Sequence, residues 1–197
     1  DNYVTFYHYS PQEEQGFPGN MHVTVTYTLD DEDTVHITYN AKADADTVMN
    51  FTNHSYFNLA GHDSGVMLDQ KLQLFADAYT PDEDSHSIPT GEIAPVAGTP
   101  MDFTTMKPIG QDINADFEQL HFTGGYDHNY VLSDKPGTMR QMAKAECDAS
   151  GIAMDAYTEC CGVQLYAGNF IGTQTGKGGV TYGDRHGFCL ESQFYPN

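Results

Sequence analysis

An all-β fold of antiparallel strands is what this sequence predicts, and three observations carry the prediction. Apolar and polar residues alternate with a period of two along most of the patterned segments. Threonine and tyrosine, which suit a pleated surface, are abundant in those segments. The 19 Gly and 9 Pro gather into turn clusters that cut the chain into many short strands, the pattern of a sandwich or barrel. All-β chains of 197 residues commonly form one domain, so residues 1–197 are read as a single β-sandwich domain.

The elements follow in order. Met21, Val23, Val25, Tyr27 and Leu29 share one face of a strand, and His22, Thr24, Thr26 and Thr28 share the other. After the acidic turn Asp30-Asp31-Glu32-Asp33 the alternation resumes with Val35, Ile37, Tyr39 and Ala41, which makes a hairpin. Further strands are expected over Lys71–Ala76, Asn129–Leu132, Met139–Cys147, Ala153–Thr158, Gln164–Ile171 and Phe188–Phe194. Turns fall at Gly16–Gly19, Ser87–Gly91, Lys135–Gly137 and Gly176–Gly179. Only Asn114–Leu120 reads as helix. From Tyr79 to Gly110 the chain is irregular and punctuated by Pro81, Pro89, Pro95, Pro100 and Pro108. Loops of that length are usually functional, and this one is expected over the mouth of a cleft.

Charge narrows the partners. Eight Lys+Arg against 28 Asp+Glu give a formal charge of −20. Such a surface repels phosphate backbones and anionic lipid, so neither nucleic acid nor a membrane is an expected partner. A neutral substrate is indifferent to that field. Nothing approaches the roughly 20 apolar residues of a membrane-spanning helix. The four cysteines, Cys147, Cys160, Cys161 and Cys189, form no CxxC pair and read as free thiols, which favours a reducing compartment such as the cytoplasm. The nine histidines include no HxxxH or HExxH pair, so spacing indicates no metal site. Phosphate loops, nucleophile elbows and dinucleotide fingerprints are missing too, and no cofactor is expected.

Four side chains remain that could do chemistry. His54 stands in Asn50–Gly61, a stretch too polar for an ordinary core strand. Asn53, Ser55, Tyr56 and Asn58 surround it with groups able to orient a ring or a substrate hydroxyl. Imidazole exchanges a proton near neutral pH, yet a strand histidine is equally at home as a hydrogen-bonded structural residue. Glu191 interrupts the apolar run Gly187–Gln193 and would share a strand face with Cys189 and Gln193. A buried carboxylate is either paired for structure or poised as a base. Asp127 follows the glycine pair Gly124-Gly125 and fits either a turn or a ligand contact. Gln164 lies in a strand and either faces outward or binds a hydroxyl.

At these residues the chain resembles the galactose mutarotase (aldose 1-epimerase) family. The matching segments are Glu14–Asn20, Thr52–Leu59, Ile88–Ile93, Gly125–Asn129, Gly162–Tyr166 and Gly187–Gln193, in the family's order and across nearly the whole chain. The resemblance implies a β-supersandwich and the interconversion of the α and β anomers of an aldohexose such as galactose or glucose. It implies His54 as the general acid on the ring oxygen and Glu191 as the general base on the C1 hydroxyl. Asp127 and Gln164 would hold sugar hydroxyls, and Asn53 and Tyr56, beside the acid, are expected to bind the substrate as well. His54 and Glu191 are then expected on opposite sides of one sugar-sized hollow. The resemblance also implies a further N-terminal portion, bearing an arginine and another histidine, and closing strands after Asn197. A chain without them is expected to be partial, with unpaired sheet edges that invite self-association or a completing chain. A non-catalytic sugar-binding or self-assembling protein on the same scaffold is the alternative.

Overall fold

The structure, a computed structural model, describes residues 2–132 and 135–196. It divides into two compact units, Asp1–Phe51 and Thr52–Asn197. The first is one antiparallel sheet in the order β1 (Tyr3–Ser10), β2 (Met21–Leu29) and β3 (Val35–Ala43). The expected hairpin is β2 and β3, with Leu29 opposite Val35 and Tyr27 opposite Ile37. Asp30 closes its turn by accepting the N–H groups of Glu32 and Thr34 through Oδ1, both at 2.9 Å. Strand β1 was not expected. Its sequence lacks a polar–apolar alternation because both of its faces are exposed up to Tyr9.

The second unit contains β4 (Lys71–Leu74), β5 (Ala78–Tyr79), β6 (Ala94–Pro95), β7 (Lys107–Pro108) and helix α1 (Glu118–Thr123). There follow β8 (Asp127–Val131), β9 (Arg140–Cys147), β10 (Ile152–Thr158), β11 (Gly162–Tyr166), β12 (Gln174–Thr175), β13 (Thr181–Tyr182) and β14 (Cys189–Gln193). Two larger sheets run β10-β9-β4-β7 and β14-β11-β8-β5-β6, and β12 and β13 form a small hairpin. Every pairing is antiparallel. No helix among the described residues is long and apolar enough to cross a membrane.

Period-two alternation builds one core between the two larger sheets. Leu72 pairs with Ala145 and Leu74 with Ala143 across β4 and β9, and all four are buried. Their chain neighbours Lys71, Gln73, Lys144 and Glu146 point the other way, as the pleat requires. From the five-stranded sheet the core receives Leu190, Val163, Leu165, Tyr130 and Tyr79. The irregular stretch after Tyr79 is not only a cover for a cleft. It supplies Val96, Met101, Phe103 and Ile109 to this core, and its Pro100 and Met101 carbonyls accept the Tyr126 and Tyr130 hydroxyls at 2.9 and 3.0 Å.

Two expected elements shift furthest. The helix begins at Glu118 rather than Asn114, because residues 114–117 form turns in which Ala115 N–H binds the Asp112 carbonyl. It stops at Gly124, a left-handed residue (φ 63°) that caps Leu120. The strand expected to reach Ile171 ends at Tyr166, since Gly168 turns the chain with φ +66° and packs against the Gly187 carbonyl where no side chain would fit.

Candidate active site

The His54 segment is not a strand; residues 50–56 carry no ladder at all. What fixes it is Asn58, whose Nδ2 donates to the carbonyls of Gly65 and His186, both at 2.9 Å. Its Oδ1 accepts from Gln70 Nε2 at 2.7 Å, Ser64 Oγ at 3.0 Å and Ala60 N–H at 3.1 Å. One residue earlier, Phe57 and Phe188 exchange backbone hydrogen bonds of 2.8 and 3.0 Å in an isolated antiparallel bridge. In antiparallel register, three residues back from Phe57 lies opposite three residues on from Phe188. That correspondence delivers His54 to Glu191.

Their side chains touch. Nε2 of His54 is 3.3 Å from Oε1 of Glu191, and Nδ1 is 3.3 Å from Sγ of Cys189. The expected hollow between acid and base is therefore absent, and the open volume lies alongside the pair instead. Burial, reinforced by Glu191 and Asp127, pushes the Cys189 thiol far up, so the thiol keeps its proton beside Nδ1. Burial raises the Glu191 carboxyl above the usual carboxylate range. His54 opposes that rise, and the negative Asp127 adds to it.

The rest of the site is one face of the five-stranded sheet. Glu191 pairs with Gln164, and Gln164 with Asn129, across β14, β11 and β8. Cys189, Glu191, Gln193, Gln164, Tyr166, Asp127 and Asn129 consequently share the face turned away from the core. Gln193 Nε2 donates to Gln164 Oε1 at 3.1 Å and to Asn129 Oδ1 at 3.2 Å. Gln164 Nε2 donates to Asp127 Oδ1 at 2.9 Å. Burial raises Asp127 against the lowering pull of Gln164 and His54. Asp127 opens β8 rather than forming a turn, and Gln164 faces the site rather than solvent.

Together with His54, Tyr56, Thr80, Asp82, Ser87, Pro89 and Pro196, these groups line a cleft of about 460 Å³, within the usual size of a small-molecule site. Tyr56 lies with its ring 5.1 Å from His54 and 6.1 Å from Tyr166. Asn53 stands outside the lining. Its Oδ1 accepts the Ser55 N–H at 3.2 Å, which shapes the backbone beside His54. Sequence reasoning missed Tyr166, Asn129, Gln193 and Asp82. The first three had a signal, because each lies two residues from a candidate on the same strand face. Asp82 had none.

Across its full length, residues 1–197, the chain matches the model of the family described as aldose 1-epimerase. It belongs to the aldose 1-epimerase family. Galactose mutarotase of Sus scrofa is 43% identical over 198 residues, covering 100% of this chain and 55% of that protein. Aldose 1-epimerase of Escherichia coli (strain K12) is 39% identical over 197 residues, covering 100% of this chain and 56% of its own length. The crystal structure of galactose 1-epimerase from Lactobacillus acidophilus NCFM superposes with a TM-score of 0.82 at 29% identity, over 98% of this chain and 55% of the other. The expected mutarotase-like antiparallel β architecture is thereby shown. The chain spans about half the length of the curated relatives it matches. Its four cysteines are free, as expected.

Proposed function

We propose that this chain carries the proton donor and acceptor of an aldose 1-epimerase acting on a neutral aldohexose such as galactose or glucose. One observation carries the reading: a buried carboxylate and a half-exposed imidazole meet at 3.3 Å beside a cleft walled by hydrogen-bonding groups with no Lys or Arg among them. Glu191, with its affinity for a proton raised by burial, takes the hydrogen of the C1 hydroxyl. His54, in its protonated form, gives one to the ring oxygen. The C1–ring oxygen bond breaks, C1 becomes an aldehyde, and rotation about C1–C2 exposes its other face. Reclosure reverses both transfers and leaves the opposite anomer. Gln164, Asp127, Asn129 and Gln193 are already linked to one another and present donors and acceptors to sugar hydroxyls, with Tyr56 as an apolar wall.

In the resting site acid and base are closed onto each other, so the sugar must enter over the pair and part it. His54 has the freedom to move, since 49% of its side chain is exposed against 11% for Glu191. The scarcity of Lys and Arg argues against a phosphorylated substrate, which would want a basic clamp.

Polarimetry of freshly dissolved α-D-glucose or α-D-galactose tests this on the longest polypeptide that carries these residues. A positioned acid or base contributes about 10²–10⁴-fold in rate. Glu191→Gln and His54→Asn should each slow anomer exchange by that order with the fold retained. Exchange at the parental rate in either variant would remove that residue from its role. Saturable sugar binding without exchange in the parent would make the chain a sugar-binding protein.

A further inference from the structure

Cys189 has no part in the proton transfers above, yet it completes a ligand set. His54, Cys189 and Glu191 each offer one donor atom within 4.8 Å of the others. A tetrahedral zinc ion bonds to nitrogen and oxygen at about 2.0–2.2 Å and to sulfur at about 2.3 Å, which places its ligand atoms roughly 3.3–3.7 Å apart. The 3.3 Å between His54 Nε2 and Glu191 Oε1 is already one edge of that tetrahedron. Cys189 Sγ lies 3.3 Å from the other ring nitrogen, and one ring nitrogen, Sγ and a Glu191 oxygen all lie within 4.8 Å of one another, so the half-exposed ring has to turn to bring a single nitrogen to the ion. Cys189 and Glu191 stand two apart on one face of β14, so the strand holds their spacing. The exposed side of His54 leaves the fourth position open to water.

We propose that His54, Cys189 and Glu191 form a binding site for a borderline transition-metal cation of the Zn²⁺ class, and that such an ion closes the site by occupying proton donor and acceptor together. Thiol, imidazole and carboxylate in one set select zinc-like ions over Mg²⁺ and Ca²⁺, which seek oxygen alone. Binding releases the thiol proton to solvent, leaving a thiolate on the metal, with no change of oxidation state. The inhibitory consequence rests on the acid–base reading of the previous section; the binding does not.

Cobalt(II) separates the two, because a thiolate-bound tetrahedral cobalt ion absorbs in the near ultraviolet and visible regardless of turnover. Titration of the reduced chain with Co²⁺ should give a thiolate charge-transfer band saturating at one ion per chain, displaced by Zn²⁺ and unaffected by Mg²⁺. Cys189→Ser should abolish the band. His54→Gln, at a half-exposed position with little bearing on folding, should weaken binding by at least about 10–100-fold. Cys160→Ser and Cys161→Ser should leave both unchanged. A band that survives Cys189→Ser, or affinity unmoved by His54→Gln, would overturn the site. If the band behaves as expected while Zn²⁺ leaves anomer exchange untouched, the metal site stands and the acid–base assignment fails.

Discussion

Asp82 and His128 show how a single residue pair can set a pH dependence of stability. His128 lies on the core face of β8, wholly buried, with Nδ1 accepting the Asp127 N–H at 3.3 Å. Its Nε2 hydrogen points toward Asp82 Oδ2, but the 3.8 Å separation is too long for a hydrogen bond. Neither atom has another partner. Burial lowers His128 to about 4, and burial with the nearby Asp127 and Asp84 raises Asp82 from 3.8 to about 6. The two effects oppose each other. A raised carboxyl stabilises the fold fully below its unfolded value of 3.8 and loses that contribution as pH climbs through about 6. A depressed histidine stabilises above its unfolded value of 6.5 and loses its contribution as pH falls through about 4. Ionised Asp82 at pH 7 thus costs the fold on the order of 3 kcal/mol. An amide cannot ionise, so it avoids that cost, and no hydrogen bond to His128 is lost with the carboxylate. Asp82→Asn should therefore gain melting temperature relative to the parent between pH 4 and pH 7, by roughly 5–10 °C. Thermal melts at the two pH values check this, and a difference that stays constant with pH would contradict it.

At the scale of the strand, β11 decides whether the site holds together. Gly162 pairs with Gln193 on one side and Val131 on the other, and a Cβ there would collide with Asn129 Oδ1 and press on the Tyr195 ring at 3.3 Å. Its backbone is ordinary, so the constraint is purely steric. Gly162→Ala should cost about 1–3 kcal/mol as Asn129 is driven from Gln193, seen as a lower denaturant midpoint with an unchanged slope. Parental stability would mean that the amide row gives way freely. Sequence captured such strands unevenly. The β2–β3 hairpin was legible because its alternation is unbroken and its acidic turn is local. Strand β1 was not, because a strand exposed on both faces has no pattern to read. Asp127 was ambiguous because two glycines before it suit a turn as well as a strand entry. The quoted motifs located His54 and Glu191 as residues, but their contact depends on the Phe57–Phe188 bridge between segments more than a hundred positions apart, which no local spacing encodes. The same holds for the His54–Cys189–Glu191 cluster.

At the scale of the whole molecule, charge is the dominant feature that no single contact explains. With eight basic residues against 28 acidic ones, pairing every Lys and Arg would still leave a surplus of carboxylates. The Lys71–Asp148 and Lys144–Glu146 pairs, at 2.6 and 3.0 Å, are substantially exposed, and such pairs contribute at most about 1 kcal/mol each. Lys107 is better held, by Asp112 at 2.7 Å and the Pro100 carbonyl at 3.0 Å. Self-repulsion among the remaining carboxylates opposes compaction, and it acts over distances that salt shortens to about 10 Å at 0.1 M and 8 Å at 0.15 M. Screening removes more repulsion here than attraction. The melting temperature should therefore rise between 10 mM and 200 mM sodium chloride, by about 2–4 °C for each kcal/mol of repulsion relieved. Chloride is the right anion for the test, since sulfate also strengthens apolar burial. A melting temperature that falls with added chloride would mean that the few ion pairs outweigh the net charge.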